Sequence, residues 1–536
     1  MRGTLLVAGT HSDAGKSVVV AGICRWLARE GVRVAPFKAQ NMALNSFVTR
    51  EGAEIGRAQA AQAAAARVQP EAAMNPVLLK PSARDTQVIV RGRPWATASA
   101  RSYQGMKKDL LPVVLESLEY LESCYDVVVC EGAGSPAEIN LRPYDLANMG
   151  LARAAEIPVI LVGDIDRGGL FASLYGTLAL LSAEDQALVS GFLVNKFRGD
   201  QAVLAPGLEE FSRLTGRPFL GTLPYVVGLG LDGEDSLALD EKGETRPPLG
   251  RDVLRVAVAR LGRISNFTDF DALAHEPGVF VSFTTSPAEI LSADLAIIPG
   301  TKATVADLAG LRSRGLSRAF EERARRGLPT LGVCGGYQML GVRIVDGIES
   351  GEEAPGLGLL PVETAFEEEK MLGRPAGRAP LFGNANVSGY EIRHGRVHRR
   401  GGEPLFVGDG FDEGCWTGAV FGTSWHGVME SDAFRRSFLR FVASERGLDW
   451  TPGEESFAAA REARLERLGD LISENVDRDA LLRLIVNGPA GFRRQQWYPD
   501  DPAQETPPNG KIVASASPAL AAPGDGADGP DLRADA

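Results

Sequence analysis

Cys334 lies in Thr330-Leu-Gly-Val-Cys-Gly-Gly-Tyr-Gln-Met-Leu340, at the end of an apolar run and directly before two glycines. A strand that ends in a sharp turn lifts such a thiol out of its sheet. It also turns the backbone N–H of Gly335 toward a developing oxyanion, and Gly332, Gly335 and Gly336 stand where a Cβ would clash. The alternative is a small buried hydrophobe followed by a glycine loop, so the partner residues decide. Ala419-Val-Phe-Gly-Thr-Ser-Trp-His426-Gly reads as a strand ending in a histidine, as a general base for the thiol requires. Leu295 to Ile298 reads as another strand, leading into Pro299-Gly300-Thr-Lys302, whose exposed amides supply the second half of an oxyanion hole. Cys334, His426, Gly300 and Gly335 together describe an acyl-transfer centre. His394 and His398 are four apart, but Gly395 between them and the lack of an acidic third ligand argue against a metal site.

A second chemistry is written near the N-terminus. Thr4 to Ala8 is a short apolar run, Gly9-Thr10-His-Ser-Asp-Ala-Gly15-Lys16-Ser17 follows, and a helical pattern runs from Val18 to Arg29. Strand, glycine loop and helix form a phosphate cradle: loop amides bind phosphates, Lys16 neutralises the outer ones and the Ser17 hydroxyl ligates magnesium. Five residues separate Gly9 from Gly15 where the standard loop has four, a variant that resembles the dethiobiotin synthetase loop. Glu131 ends the strand Asp126 to Cys130 and is expected at the same Mg2+, directly or through water. Asp164 and Asp166 follow another strand and suit either the metal or a helix cap. Asn195 is expected at the nucleotide base, and Lys38 and Asn41 at a phosphate or substrate carboxylate.

The elements that must place these residues form an α/β chain. Alternating apolar strands and helices before residue 232 predict a doubly wound parallel sheet with ATP at its carboxyl ends. A linker is expected over 233–251, a second α/β unit over 252–446, a helical extension over 447–498 packed on that second unit, and a disordered tail over 499–536. At 536 residues with 44% hydrophobic content the chain is too long for one core. The net charge of −12 argues against general nucleic-acid binding. No stretch has the apolar length of a membrane span and no leader precedes the first strand, so a cytoplasmic location is expected. Five cysteines without paired spacing suit a reduced compartment.

An ATP site and a reactive thiol in one chain suggest coupled chemistry, in which ammonia cut from glutamine attacks a carboxylate activated by ATP. Asn41-Met-Ala-Leu-Asn-Ser46, Gly52-Ala-Glu-Ile-Gly-Arg-Ala-Gln59, Met74-Asn-Pro-Val-Leu-Leu-Lys-Pro81, Glu131-Gly-Ala-Gly-Ser-Pro-Ala-Glu-Ile-Asn-Leu141, Gly332-Val-Cys-Gly-Gly-Tyr-Gln-Met-Leu-Gly341, Gly389-Tyr-Glu-Ile and Gly422-Thr-Ser-Trp-His-Gly427 resemble the cobyric acid synthase family. The likeness runs from about Thr4 to Ile485. It implies a dethiobiotin-synthetase-like P-loop domain followed by a class I glutamine amidotransferase domain, with Cys334 as nucleophile and His426 as base. It further implies ATP- and glutamine-dependent amidation of the b, d, e and g carboxylates of adenosylcobyrinic acid a,c-diamide, a corrinoid polycarboxylate of cobalamin biosynthesis. Two positions depart from the expected patterns. Val428 stands where class I glutaminases carry a glutamate, leaving the partner of His426 open, and Arg393 stands where the family's Tyr-Glu-Ile is followed by histidine. The competing readings are the related synthase that amidates the a and c carboxylates and, from another class, a nucleotide-switched binding protein with a vestigial glutaminase domain.

Overall fold

Val127 to Cys130 and Val159 to Val162 are uninterrupted apolar runs, the pattern of strands covered on both faces. The computed structural model describes residues 1–82, 85–229 and 246–491. Both runs are central strands of a six-stranded, wholly parallel sheet in the order Phe219–Pro224, Val189–Phe197, Val159–Asp164, Gly3–Gly9, Val127–Glu131, Val34–Phe37. Because the strands are parallel, their carboxyl ends share one edge. Gly9, Lys38, Glu131, Asp164 and Asn195 are thereby gathered from distant points of the chain, and the register sets Val7 beside Glu131 and Asp164 beside Asn195.

A second six-stranded sheet has the order Val279–Thr284, Leu254–Ala259, Leu295–Ile298, Thr330–Val333, Val420–Thr423, Cys415–Thr417, parallel except for the last strand. Three neighbouring strands thus deliver Gly300, Cys334 and His426 to one edge. Two smaller four-stranded sheets extend this half, one antiparallel and one mixed, and the mixed one contains the long antiparallel pair Val362–Gly373 and Glu391–Arg399. Both six-stranded sheets belong to one compact unit, Met1–Gln495.

The helical pair near the C-terminus forms as expected, over Phe457–Asn475 and Arg478–Asn487, but packs elsewhere. It covers the first sheet, while Phe457 at its start is buried in the core of the second unit. Leu465, Leu468, Ile472, Leu481 and Ile485 are buried in one core with Leu5, Val7, Val19, Ile23 and Val129. The physical reason lies in the helix Lys16–Arg29, which is buried on nearly all sides and therefore needs a cover beyond its own sheet. Gly22 permits the close approach: a Cβ there would stand 2.7 Å from the Leu468 carbonyl oxygen. Arg25, fully buried, bonds Glu462 at 2.6 Å and Glu466 at 2.9 Å. Each fully buried Leu or Ile contributes about 1.5–3 kcal/mol, so this extension stabilises the nucleotide half. Most of the expected linker, 233–245, and the expected tail lie outside the described residues.

Candidate functional site

The loop after Gly9 is held in shape from several directions. Gly15 has φ 96°, and a Cβ there would lie 1.9 Å from Asn195 Nδ2, so both the backbone and the space call for glycine. Asn195, expected at a base, donates from Nδ2 to Ala14 O at 2.9 Å and braces the loop. Thr10 donates its N–H to Val162 O at 3.1 Å, and its hydroxyl meets His11 Nδ1. Lys16 Nζ donates to His11 O at 2.9 Å and to Gly134 O at 3.2 Å, which keeps it curled over the loop. Lys196 Nζ joins Asp13 O to Asp164 Oδ2, both at 2.8 Å. Asp164 also accepts from the Asp166 N–H, so the two aspartates shape the edge of the site through a turn.

Glu131 is the hub of this edge. Its Oε1 accepts from Ser17 Oγ at 2.8 Å and from Lys38 Nζ at 2.8 Å, and Gln62 Nε2 reaches Oε2. Burial alone would raise its pKa, but Lys38, Gln62 and Ser17 more than offset that and hold it below the ordinary carboxylate value. Lys38 is therefore a buried partner of an ionised carboxylate, with 4% of its surface exposed. Asn41 donates from Nδ2 to Gln59 Oε1 at 2.9 Å. Gln62 carries no motif that singles it out; it reaches Glu131 from the helix Arg57–Ala65, which packs against the helix Lys16–Arg29 and the strand Val34–Phe37.

In the other half, Cys334 has φ 50° and ψ −108°, a strained turn between Thr330–Val333 and the helix Gly335–Leu340. A Cβ on Gly336 would lie 1.9 Å from the Ile298 carbonyl oxygen, which explains the second glycine. A Cβ on Gly300 would lie 2.7 Å from His426 Cε1, and one on Gly335 would lie 3.1 Å from the Thr301 amide nitrogen. The two glycine loops therefore converge on the thiol. Pro299, Gly300 and Thr301 are buried, not exposed, and Ser265 N–H donates to Gly300 O at 2.9 Å.

His426 is buried between a thiol and a carboxylate. Its Nδ1 meets Asp269 Oδ2 at 2.7 Å, while the other Asp269 oxygen accepts from Gly427 N–H at 2.8 Å. Asp269 thus supplies the acidic partner for which Val428 leaves no candidate. It sits in the short 3-10 turn Phe267–Phe270, headed by Asn266 in a left-handed conformation. The separation of 157 residues from His426 hides it from any reading of spacing. Burial alone would lower the His426 pKa, but Asp269 and Cys334 outweigh burial and push it up to about 10. Tyr390 stacks on the imidazole with ring centres 5.4 Å apart. Cys334, His426, Arg393 and His394 line one cavity, together with Lys370 and, from the first half of the chain, Lys80. Glu54 bonds Lys80 at 2.7 Å and Lys370 at 2.5 Å, closing the two halves over the cavity wall.

The same division appears in comparisons with known proteins. Residues 5–236 match the CobQ/CobB/MinD/ParA nucleotide binding domain, and residues 255–434 match the CobB/CobQ-like glutamine amidotransferase domain. The chain is 58% identical over 502 residues to a protein of Streptomyces avermitilis named cobyric acid synthase, covering 92% of this chain and 98% of that one. It is 57% identical to a cobyric acid synthase of Frankia casuarinae, again over 92% of this chain and 98% of the other. Among the described residues no helix is long and apolar enough to cross a membrane. With this identity along nearly the whole of both relatives, the chain belongs to the cobyric acid synthase family.

Proposed function

We propose that this enzyme uses ATP and glutamine to amidate the b, d, e and g carboxylates of adenosylcobyrinic acid a,c-diamide, giving adenosylcobyric acid. The observation that carries the reading is the pairing, in one member of this family, of the Lys16–Ser17–Glu131 edge with the buried Cys334–His426–Asp269 constellation. Its chemistry needs both. A carboxylate is a poor acceptor for an amine near neutral pH because its leaving group is an oxide, so phosphoryl transfer from ATP must first provide a better one. Lys16 and the loop amides bind the phosphates, and Lys38 keeps Glu131 ionised beside Ser17. That oxygen pair at a helix N-terminus fits Mg2+, an ion that takes one or two protein ligands and otherwise binds phosphate and water. Mg2+ would supply charge neutralisation on the nucleotide phosphates.

At the other centre Cys334 gives its thiol proton to His426 and its sulfur attacks the glutamine side-chain amide carbon, while the backbone amides near Gly300 and Gly335 receive the oxyanion. The protonated His426 gives its proton to the departing nitrogen, so ammonia leaves as the thioester forms. Water then releases glutamate. Asp269, on Nδ1, keeps the imidazole in register and favours its charged form. Replacing Asp269 with Asn is expected to slow glutamine hydrolysis on the order of 10⁴-fold. The residual activity should fail at lower pH than the wild type on the alkaline side, because the His426 proton is otherwise held to about pH 10. A pH profile of kcat/KM for glutamate release checks both.

The reading is tested by offering the purified protein, with ATP, Mg2+ and glutamine, either the a,c-diamide or unamidated cobyrinic acid. Conversion of the diamide through four successive carboxylate-to-amide mass changes is expected. Conversion of cobyrinic acid instead would assign the chain to the a,c-amidating reaction.

A further inference from the structure

The glutaminase-like centre leans on the nucleotide half through a buried clamp. Asn266 Oδ1 accepts from the Ser46 N–H at 2.7 Å, and Asn45 Oδ1 accepts from the Phe267 N–H at 3.2 Å. The two asparagines exchange these bonds across the boundary, and Asn45, Ser46 and Asn266 are each under 3% exposed.

The clamped turn is the piece that assembles the thiol centre. On its N-terminal side, Ser265 N–H holds Gly300 O, and Arg263 O accepts from Thr301 Oγ1 and from the Lys302 N–H. On its C-terminal side, Asp269 N–H donates to Asn266 O at 2.9 Å, and the Asp269 carboxylate holds His426 and Gly427. The clamp therefore lies between the loop that carries Gly300 and the carboxylate that orients the histidine. A shift of Asn266 would move both.

The other end of the clamp reaches the nucleotide edge. Asn45 O accepts from the Arg57 N–H at 3.0 Å, the first amide of the helix Arg57–Ala65. One and a half turns along that helix, Gln62 bonds Glu131, the same carboxylate that takes Ser17 and Lys38. A helix this short behaves as a rigid strut, so the position of Glu131 and that of the Asn266 turn are mechanically joined through Asn45.

We propose that Asn45 is a positioning residue of the glutaminase centre: its clamp on Asn266 and Phe267, joined to Glu131 by the helix Arg57–Ala65, makes glutamine hydrolysis respond to occupancy of the nucleotide site. This rests on the amidotransferase reading above. It gives a physical route by which ammonia is released when an activated carboxylate is ready to receive it.

The experiment measures glutamate release with and without ATP, Mg2+ and the a,c-diamide, alongside amidation driven by added ammonia. The proteins compared are the wild type, Asn45→Ala, Asn45→Asp and Asn266→Gly. Asn45→Asp keeps an acceptor for the Phe267 amide, and Asn266→Gly keeps the left-handed backbone while removing the acceptor for Ser46. In Asn45→Ala and Asn266→Gly the stimulation of glutamate release by ATP and diamide is expected to fall by about 5- to 150-fold, chiefly in kcat. Ammonia-driven amidation should stay within about twofold of the wild type, a change too small to register as lost coupling, and Asn45→Asp should recover most of the stimulation. Unchanged stimulation in either of the first two variants, or equal loss of both activities, would overturn the proposal; if Asn45→Ala does not fold, Asn266→Gly decides. A wild-type enzyme that releases no glutamate would instead overturn the amidotransferase reading beneath it.

Discussion

Replacing Cys334 with Ser is expected to remove glutamine-dependent synthesis, by at least on the order of 10⁴-fold, while synthesis from added ammonia continues at close to the wild-type rate. The side chain is nearly isosteric, so the strained backbone at φ 50° and the packing of Gly336 against Ile298 are kept. What changes is the nucleophile. A hydroxyl is intrinsically a weaker nucleophile than a thiol, and an imidazole held protonated by Asp269 gives it no base. The measurement is amide formed per enzyme with glutamine against amide formed with ammonium salt. Retained glutamine-dependent synthesis would remove Cys334 from the role of nucleophile.

The complementary substitution is Lys16→Ala, for which the opposite pattern is expected. Lys16 is held over the loop by two carbonyl oxygens, those of His11 and Gly134, where the proposed mechanism puts the nucleotide phosphates. Removing it takes away a preorganised cation for the transferring phosphoryl group, a loss on the order of 10²- to 10³-fold. Synthesis should fall with either nitrogen source, because the activated carboxylate no longer forms. Unstimulated glutamine hydrolysis should persist, since the Cys334–His426–Asp269 geometry lies in the other sheet. The two variants together separate the source of the nitrogen from the activation of its acceptor.

Much of this arrangement is legible in the sequence. Apolar runs ending in Gly9, Glu131, Cys334 and His426 each announce a strand whose carboxyl end carries a polar residue, and parallel pairing then brings such ends to one edge. The glycines beside Cys334 were readable for the same reason, since a strained turn leaves a compositional mark. Asp269 left none: it occupies a buried 3-10 turn, and its partner is set by which loop the second sheet folds against. Gln62 is hidden likewise in a run of alanines. The C-terminal helices could be read as amphipathic, but amphipathicity states that a face must be covered and not which one. The deciding fact, the all-round burial of Lys16–Arg29, belongs to the fold. Asn195 and Lys38 also have partners within the chain that no spacing marks, the Ala14 carbonyl and the buried Glu131 carboxylate.

The Lys80–Glu54–Lys370 group adds a dependence between the halves that neither domain motif implies. Glu54 is fully buried and bonds one lysine from its own half and one from the other. Burial would raise its pKa, but Lys370 and Lys80 hold it well below the usual range, while burial draws Lys370 down to about 8 despite Glu54. A cavity that contains Cys334 is thus walled partly by Lys80 of the first half.

The most direct measurement of the central claim is mass spectrometry of the corrinoid after incubation with ATP, Mg2+ and amide-labelled 15N-glutamine, with no added ammonium, at near-neutral pH. The account predicts that the a,c-diamide gains four amides carrying the label from glutamine. A product whose new amides carry only unlabelled nitrogen, or a diamide left unconverted, would contradict it.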